Sequence, residues 1–333
     1  MSGRFLAMIE RIRRPWLTPS PTTPGHSSIT YEPETPPGVE ECTDFVLQRE
    51  EWSIPGLPGK VIDIDFGPDG DWVALCSNAD VGACVTTPRS TLALPGRGCP
   101  SYIRIVAHGG IAVLYQAPLD PSMNVELGTA EGRTVHVFCV GRSACGAVAC
   151  NERILAFYMD QGVLSGPRPD CEALCAFTLG GEVDFGYFSG LEDPPVDIFD
   201  CYCACFVAPD VVGFMGPIFE QNETDFPYVL LNLSTRRQTV HPTPIALDNP
   251  RALTWDGQAV IVYGPDHDRN GFYRWIPGAE TVQKIGEYDG RLRDGGHGRF
   301  LEVRPDGCAI LTFQPRELTP PSPPHSPPPA TSR

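Results

Sequence analysis

The chain predicts an all-β repeat domain, on three observations. A cassette of apolar strand, tight turn and second apolar strand recurs along it. The copies are spaced by roughly 40 to 50 residues. No stretch between them carries the period of a long amphipathic helix. The cassette is clearest at residues 61–66, with the turn Gly67-Pro68-Asp69-Gly70 and a second strand over 72–75. It returns at residues 300–303, with Pro305-Asp306-Gly307 and a second strand over 308–311. In such turns Pro presets the first position, Asp bonds its own backbone and Gly supplies positive φ.

Taken in order, residues 45–48 and 52–54 read as two short strands ahead of the first cassette. The second cassette pairs 103–106 with 111–114 across His108-Gly109-Gly110. The third turns at Cys150-Asn151-Glu152 between 147–149 and 154–158, and the fourth at Pro209-Asp210 between 203–207 and 211–214. The fifth pairs 252–255 with 259–262 across Asp256-Gly257, and the cassette at 300–311 is the sixth. Further strands follow most of these hairpins: 134–140, then 175–179 with 183–187, 228–233 with 238–240, and 272–276 with 281–285. They carry the β-branched and aromatic enrichment of strands.

Six hairpins at this period match the blades of a propeller, each needing a second strand pair. Over residues 42–315 the chain resembles the β-propeller superfamily, of the WD-repeat-like or TolB-like kind. The resemblance implies a single six-bladed ring. The sixth cassette lacks a following partner, so the strands near residue 45 are expected to close the ring and leave no open sheet edge. Trp255-Asp256 sits in a first hairpin, and a regular Trp-Asp series is absent from the sequence. The resemblance therefore implies a blade pattern and transfers no functional residues.

Three regions are expected: a segment and linker over 1–41, the repeat domain over 42–315, and a Pro-rich tail over 316–333. In the first, Phe5, Ile9, Ile12 and Trp16 fall near one side of a possible short helix, with Arg4, Arg11, Arg13 and Arg14 around it. Such a segment suits a mitochondrial-type presequence, a membrane-surface contact or a partner-docking helix, and equally a basic disordered end. Polyproline segments such as residues 319–329 dock in aromatic grooves or stay solvated. No run is long and apolar enough to cross a bilayer. The net charge of −16 argues against a nucleic-acid surface, which needs clustered Lys and Arg.

The 13 Cys, with no secretory signal, point to free thiols in an intracellular, cytoplasmic setting. Cys201, Cys203 and Cys205 alternate, which places all three on one face of a strand, as core residues or as thiolates for zinc or copper. Asp266, Asp268 and Asn270, ahead of Gly271, open like a calcium loop, although the twelfth position is Pro277. His297 near Asp294, and His108 before Gly109-Gly110, are the acid–base candidates. Linear signatures of Ser hydrolases, zinc peptidases and P-loops are missing from the sequence. The expected function is non-enzymatic: a protein-interaction scaffold presenting one face of the ring to a protein partner. The alternative is a hydrolase or lactonase type of enzyme with a divalent cation at the central channel.

Overall fold

The computed structural model describes residues 36–316, apart from short interruptions at 55, 68–69, 79, 81, 95, 97, 119, 121, 151, 193–195, 199 and 221–222. The described residues begin with β1 (Val39–Glu41) and β2 (Phe45–Ser53), and the chain then builds six antiparallel blades in sequence, the last completed to four strands by β2. Blade 1 holds β3 (Val61–Phe66), β4 (Trp72–Asn78), β5 (Gly82–Thr86) and β6 (Thr91–Ala93). Blade 2 holds β7 (Gly98–Val106), β8 (Gly110–Pro118), β9 (Val125–Thr129) and β10 (Thr134–Phe138). Blade 3 holds β11 (Ala144–Cys150), β12 (Arg153–Tyr158), β13 (Leu174–Thr178) and β14 (Val183–Gly186).

Blade 4 runs through β15 (Cys203–Ala208) and β16 (Val211–Met215). It makes a small excursion, β17 (Ile218–Glu220) with β18 (Glu223–Asp225), and resumes at β19 (Tyr228–Asn232) and β20 (Arg237–His241). Blade 5 holds β21 (Ala252–Trp255), β22 (Val260–Tyr263), β23 (Gly271–Trp275) and β24 (Val282–Glu287). Blade 6 holds β25 (Leu292–Asp294), β26 (Arg299–Arg304) and β27 (Gly307–Pro315), and its outermost strand is β2. The fold is the six-bladed propeller that the cassette spacing predicts.

Ring closure is made by a single nine-residue strand. From Phe45↔Pro315 to Ser53↔Gly307, β2 pairs antiparallel with β27 without a break, where two short strands are expected. A second correction concerns the sixth cassette, which is displaced by one strand. Residues 299–304 and 307–315 are the second and third strands of blade 6, and the inner strand is β25. Strand β1, in the stretch expected to be linker, adds to blade 5 parallel to β24. The basic segment at residues 4–17 and the Pro-rich tail at 319–329 lie outside the described residues.

Each blade interface has its own core, so the hydrophobic interior is a ring of six clusters. Period-two alternation explains how. Val73 and Leu75 of β4 face blade 2, while Ala74 and Cys76 face blade 6. Inner strands buried on both faces read as continuous apolar runs, and a slip of one residue would exchange the two faces. The turns hold the register. In the β21–β22 turn the Asp256 carboxylate accepts the N–H groups of Gln258 and Ala259, both at 2.8 Å, and Gly257 takes φ +99°.

Candidate functional site

In an antiparallel meander, the turns joining first to second strands all lie at one end of the blades. Five of the six predicted cassette turns are of this kind. With the turn after β25, they surround an open cavity of about 1700 Å³ over the central channel. Asp71, Glu152, Pro209, Asp256 and the stretch Gly295, Gly296, His297 line its mouth, and Asp65, Arg104, Arg293 and Asp294 lie deeper. The turn at Pro305-Asp306 is at the opposite end, because its hairpin joins the second strand of its blade to the third.

The deep residues form a belt across four inner strands. Asp63 on β3 accepts Arg104 Nη1 at 2.5 Å, Arg293 Nε at 2.9 Å and the Ile103 N–H at 3.0 Å. Arg104 Nε donates to the Ala147 carbonyl at 2.7 Å, and Arg293 Nη2 donates to the Ile64 carbonyl. β25, β3, β7 and β11 are thereby linked in succession. Two residues on, Asp65 Oδ2 accepts the Ile105 N–H at 2.8 Å, so alternate carboxylates of β3 cap the inner-strand backbone of the next blade. Buried backbone donors need such partners.

The belt sorts the carboxylates by charge state. Burial alone would push the Asp63 carboxyl up, but the Arg293 and Arg104 guanidiniums and the Ile103 N–H outweigh it and hold it below the ordinary range. For Asp65 burial wins, only partly offset by the same two arginines and the Ile105 N–H, and its pKa is raised. Asp294 is pushed up to about 6, again by burial, against the Gly296 N–H, the nearby Thr254 hydroxyl and the arginines.

Ionisation of Asp294 therefore opposes folding. The protonated group contributes stability that is complete below its ordinary pKa of 3.8 and lost as pH rises through about 6. Asp294→Asn removes the charge and keeps an acceptor for Gly296. Its melting temperature is expected to exceed that of the wild type near pH 7, with the advantage shrinking as pH falls to about 4. An offset that does not change with pH would contradict the assignment.

The sequence candidates fall in different places. Asp294 and His297 line the same cavity, Asp294 deeper and His297 at the mouth, and His108 belongs to the short turn Ala107–Gly109 beside it. Asp266, Asp268 and Asn270 lie in the β22–β23 loop, at the opposite end of the blades from the mouth. There Asp266 pairs with Arg269 and accepts Asn249 Nδ2 at 2.8 Å. Asp268 accepts Lys284 Nζ at 2.9 Å and the Tyr273 hydroxyl at 3.0 Å. The Asn270 N–H points to Asp268 Oδ1 at 3.3 Å. Cations of the chain itself thus engage both carboxylates, and among the described residues no three His, Cys, Asp or Glu side chains gather as a metal set.

The three cysteines do not share one face. Cys203 and Cys205, on β15, pack in the core between blades 4 and 5. Cys201 precedes the strand, escapes its alternation and packs between blades 3 and 4. Burial raises all three thiol pKa values, which suits core residues rather than reactive thiolates.

Arg104, Arg293, Asp63 and Asp65 were not legible as a site. Their partners are 40 to 230 residues away, and only the Asp-Ile-Asp alternation at residues 63–65 hinted at polar groups on an inner strand.

No family model matches the chain, and no curated protein does. Solved structures with a similar ring include a catalytically inactive variant of virginiamycin B lyase from Staphylococcus aureus, crystallised with quinupristin. It has 11% identity and a TM-score of 0.43, over 80% of this chain and 99% of that one. The β-propeller domain of the Trilobed protease from Pyrococcus furiosus has 11% identity and a TM-score of 0.48, over 77% and 84%. YCF48 bound to D1 peptide has 9% identity and a TM-score of 0.48, over 81% and 83%. At such identities the likeness concerns the fold alone.

Proposed function

We propose that this propeller is a protein-recognition module whose channel mouth receives a basic segment of a partner protein. One observation carries the reading. The cavity is lined by Asp65, Asp71, Glu152, Asp184, Asp256 and Asp294, against Arg104, Arg153 and Arg293. Arg104 and Arg293 share the one carboxylate of Asp63, and Arg153 is held by Asp184 at 2.7 Å and Asp210 at 2.5 Å. Asp65, Asp71 and Asp294 form no ion pair among the described residues, so the mouth keeps a surplus of negative charge. A cavity of this size and openness exceeds the usual range for a small metabolite, roughly 300–1,000 Å³. Low-dielectric walls focus the field and favour cationic ligands.

The test is fluorescence anisotropy with a labelled Arg-rich peptide, beside Glu-rich and neutral peptides. The basic peptide is expected to bind alone, and more weakly as salt rises. Asp71→Lys with Glu152→Lys, both at exposed positions, is expected to weaken it at least about tenfold, or ~1.4 kcal/mol. Equal binding of all three peptides, or of none, would overturn the proposal.

A second reading, acid–base catalysis, is favoured by Asp294 and His297 lining the same cavity, the former with a pKa of about 6. A divalent cation at the depth of Asp65 would sit against the two belt guanidiniums, which disfavours the metal-dependent version. A pH–rate profile with an acid limb near 6 that Asp294→Asn abolishes would move the assignment to an enzyme.

A further inference from the structure

A second depression, of about 330 Å³, runs off the mouth between blades 1 and 2 and shares Asp71, Ile105 and Gly109 with it. Its base is apolar. Val73 and Ile111 belong to the buried core between these blades, and Ile105 and Ala130 pack against that core. The walls are polar, from Thr87, Arg89 and Glu131.

The walls are also fixed in place. The Thr87 hydroxyl oxygen accepts the N–H groups of Arg89 at 3.2 Å and Ser90 at 3.1 Å, which sets the β5–β6 turn. From that turn Ser90 Oγ donates to the Ala130 carbonyl at 3.1 Å, tying the blade 1 wall to the blade 2 wall. The groove is therefore formed before any ligand arrives, and a preformed site avoids the ordering cost of binding.

Taking the acidic-mouth function as its basis, we propose that this groove is the specificity subsite of the module. It takes one large apolar side chain, aromatic or Leu-like, from the same basic segment, next to a Lys or Arg held at Asp71. The occupant is thus an extended peptide of a partner protein in which a bulky apolar residue adjoins a basic one. Three features point to it: continuity with the mouth through Asp71, the apolar base, and walls carrying both an arginine and a glutamate. Charge steers such a segment to the ring, and the buried anchor sets how long it stays.

Two synthetic peptides test this, identical Arg/Gly/Ser decamers with either Trp or Ala at the centre. The Trp peptide is expected to bind wild-type protein at least about tenfold more tightly. Ala130→Trp, which fills the groove, is expected to erase that difference and leave the Ala peptide's affinity unchanged; the retained affinity also reports that the variant is folded. A photoreactive benzophenone side chain in place of Trp is expected to cross-link to residues 105, 111 or 130, read by mass spectrometry. Basic peptides that bind equally with Trp or Ala would overturn the groove and leave the mouth standing. A Trp advantage that survives Ala130→Trp, or cross-links confined to other blades, would overturn the groove too. Failure of both peptides to bind would remove the mouth function and the groove with it.

Discussion

Asp63→Asn is expected to destabilise the protein by about 3–5 kcal/mol, the cost of removing one partner from a buried ion pair. Asp63 is 3% exposed and gathers Arg104, Arg293 and the Ile103 N–H on its two oxygens. The amide keeps the shape and loses the charge, and its NH₂ group faces donors. Two guanidiniums are left without a counter-ion, one of them 6% exposed. The effect also has a pH signature. The folded pKa of Asp63 is depressed, so its contribution is present above the ordinary carboxylate range and lost as pH falls through the folded value. Urea denaturation near neutral pH should show the full loss, and the gap to wild type should narrow on acidification. Asp63→Leu combined with Arg104→Met should recover part of it, because the charge and its partner leave together. A near-neutral single variant would mean that water already screens the belt.

Gly307→Ala is expected to cost about 1–3 kcal/mol, the usual range for overpacking, and to act on ring closure in particular. A Cβ at this position would stand 2.0 Å from the Trp52 carbonyl oxygen and 3.0 Å from Ser53 Cα, both backbone atoms. Neither can swing aside as a flexible side chain would, so β2 must move away from β27 at the end of their ladder. Amides of β2 should exchange with solvent faster, while those of blade 3, across the ring, should not change. Gly257→Ala is the control: its φ of +99° strains alanine, yet nothing lies within 4 Å of the new Cβ. That variant should leave β2 protected. Equal β2 exchange in the two variants would sink the steric account.

Turn chemistry made most of the ring readable. Asp256-Gly257 and the other cassette turns place five hairpins at their observed positions, because a local rule of pairing and positive φ decides them. Blade 6 misled for a physical reason. Its inner strand is only three residues, and Arg293 and Asp294 within it face the channel, so no β pattern marks it. The conspicuous apolar run after it is the interior of the blade. Strand β9 escaped notice because it carries Glu126, a buried carboxylate that accepts the Tyr115 and Thr134 hydroxyls. As for the mouth, Glu152 and Asp256 were visible only as turn formers, and Asp71 carried no signal beyond its place next to a turn. Their second role, as carboxylates around one cavity, exists only once the ring has brought the turns together.

Ring closure by β2 also has a consequence in time. β2 ends at Ser53, and the residue it meets there is Gly307, so the strand emerges from a ribosome long before its partner exists. At about 5–20 residues per second the wait is roughly 10–50 s. During that interval blades 1 to 5 can form from neighbouring segments, while β2 has an unpaired edge and the inner end of blade 1 lacks the Arg293 that braces it. Closing a loop of that length is entropically slow, so the last step of folding is the one that joins the two ends. An arrested nascent chain is then an open ring with one sticky strand, the form most prone to pair with another copy of itself.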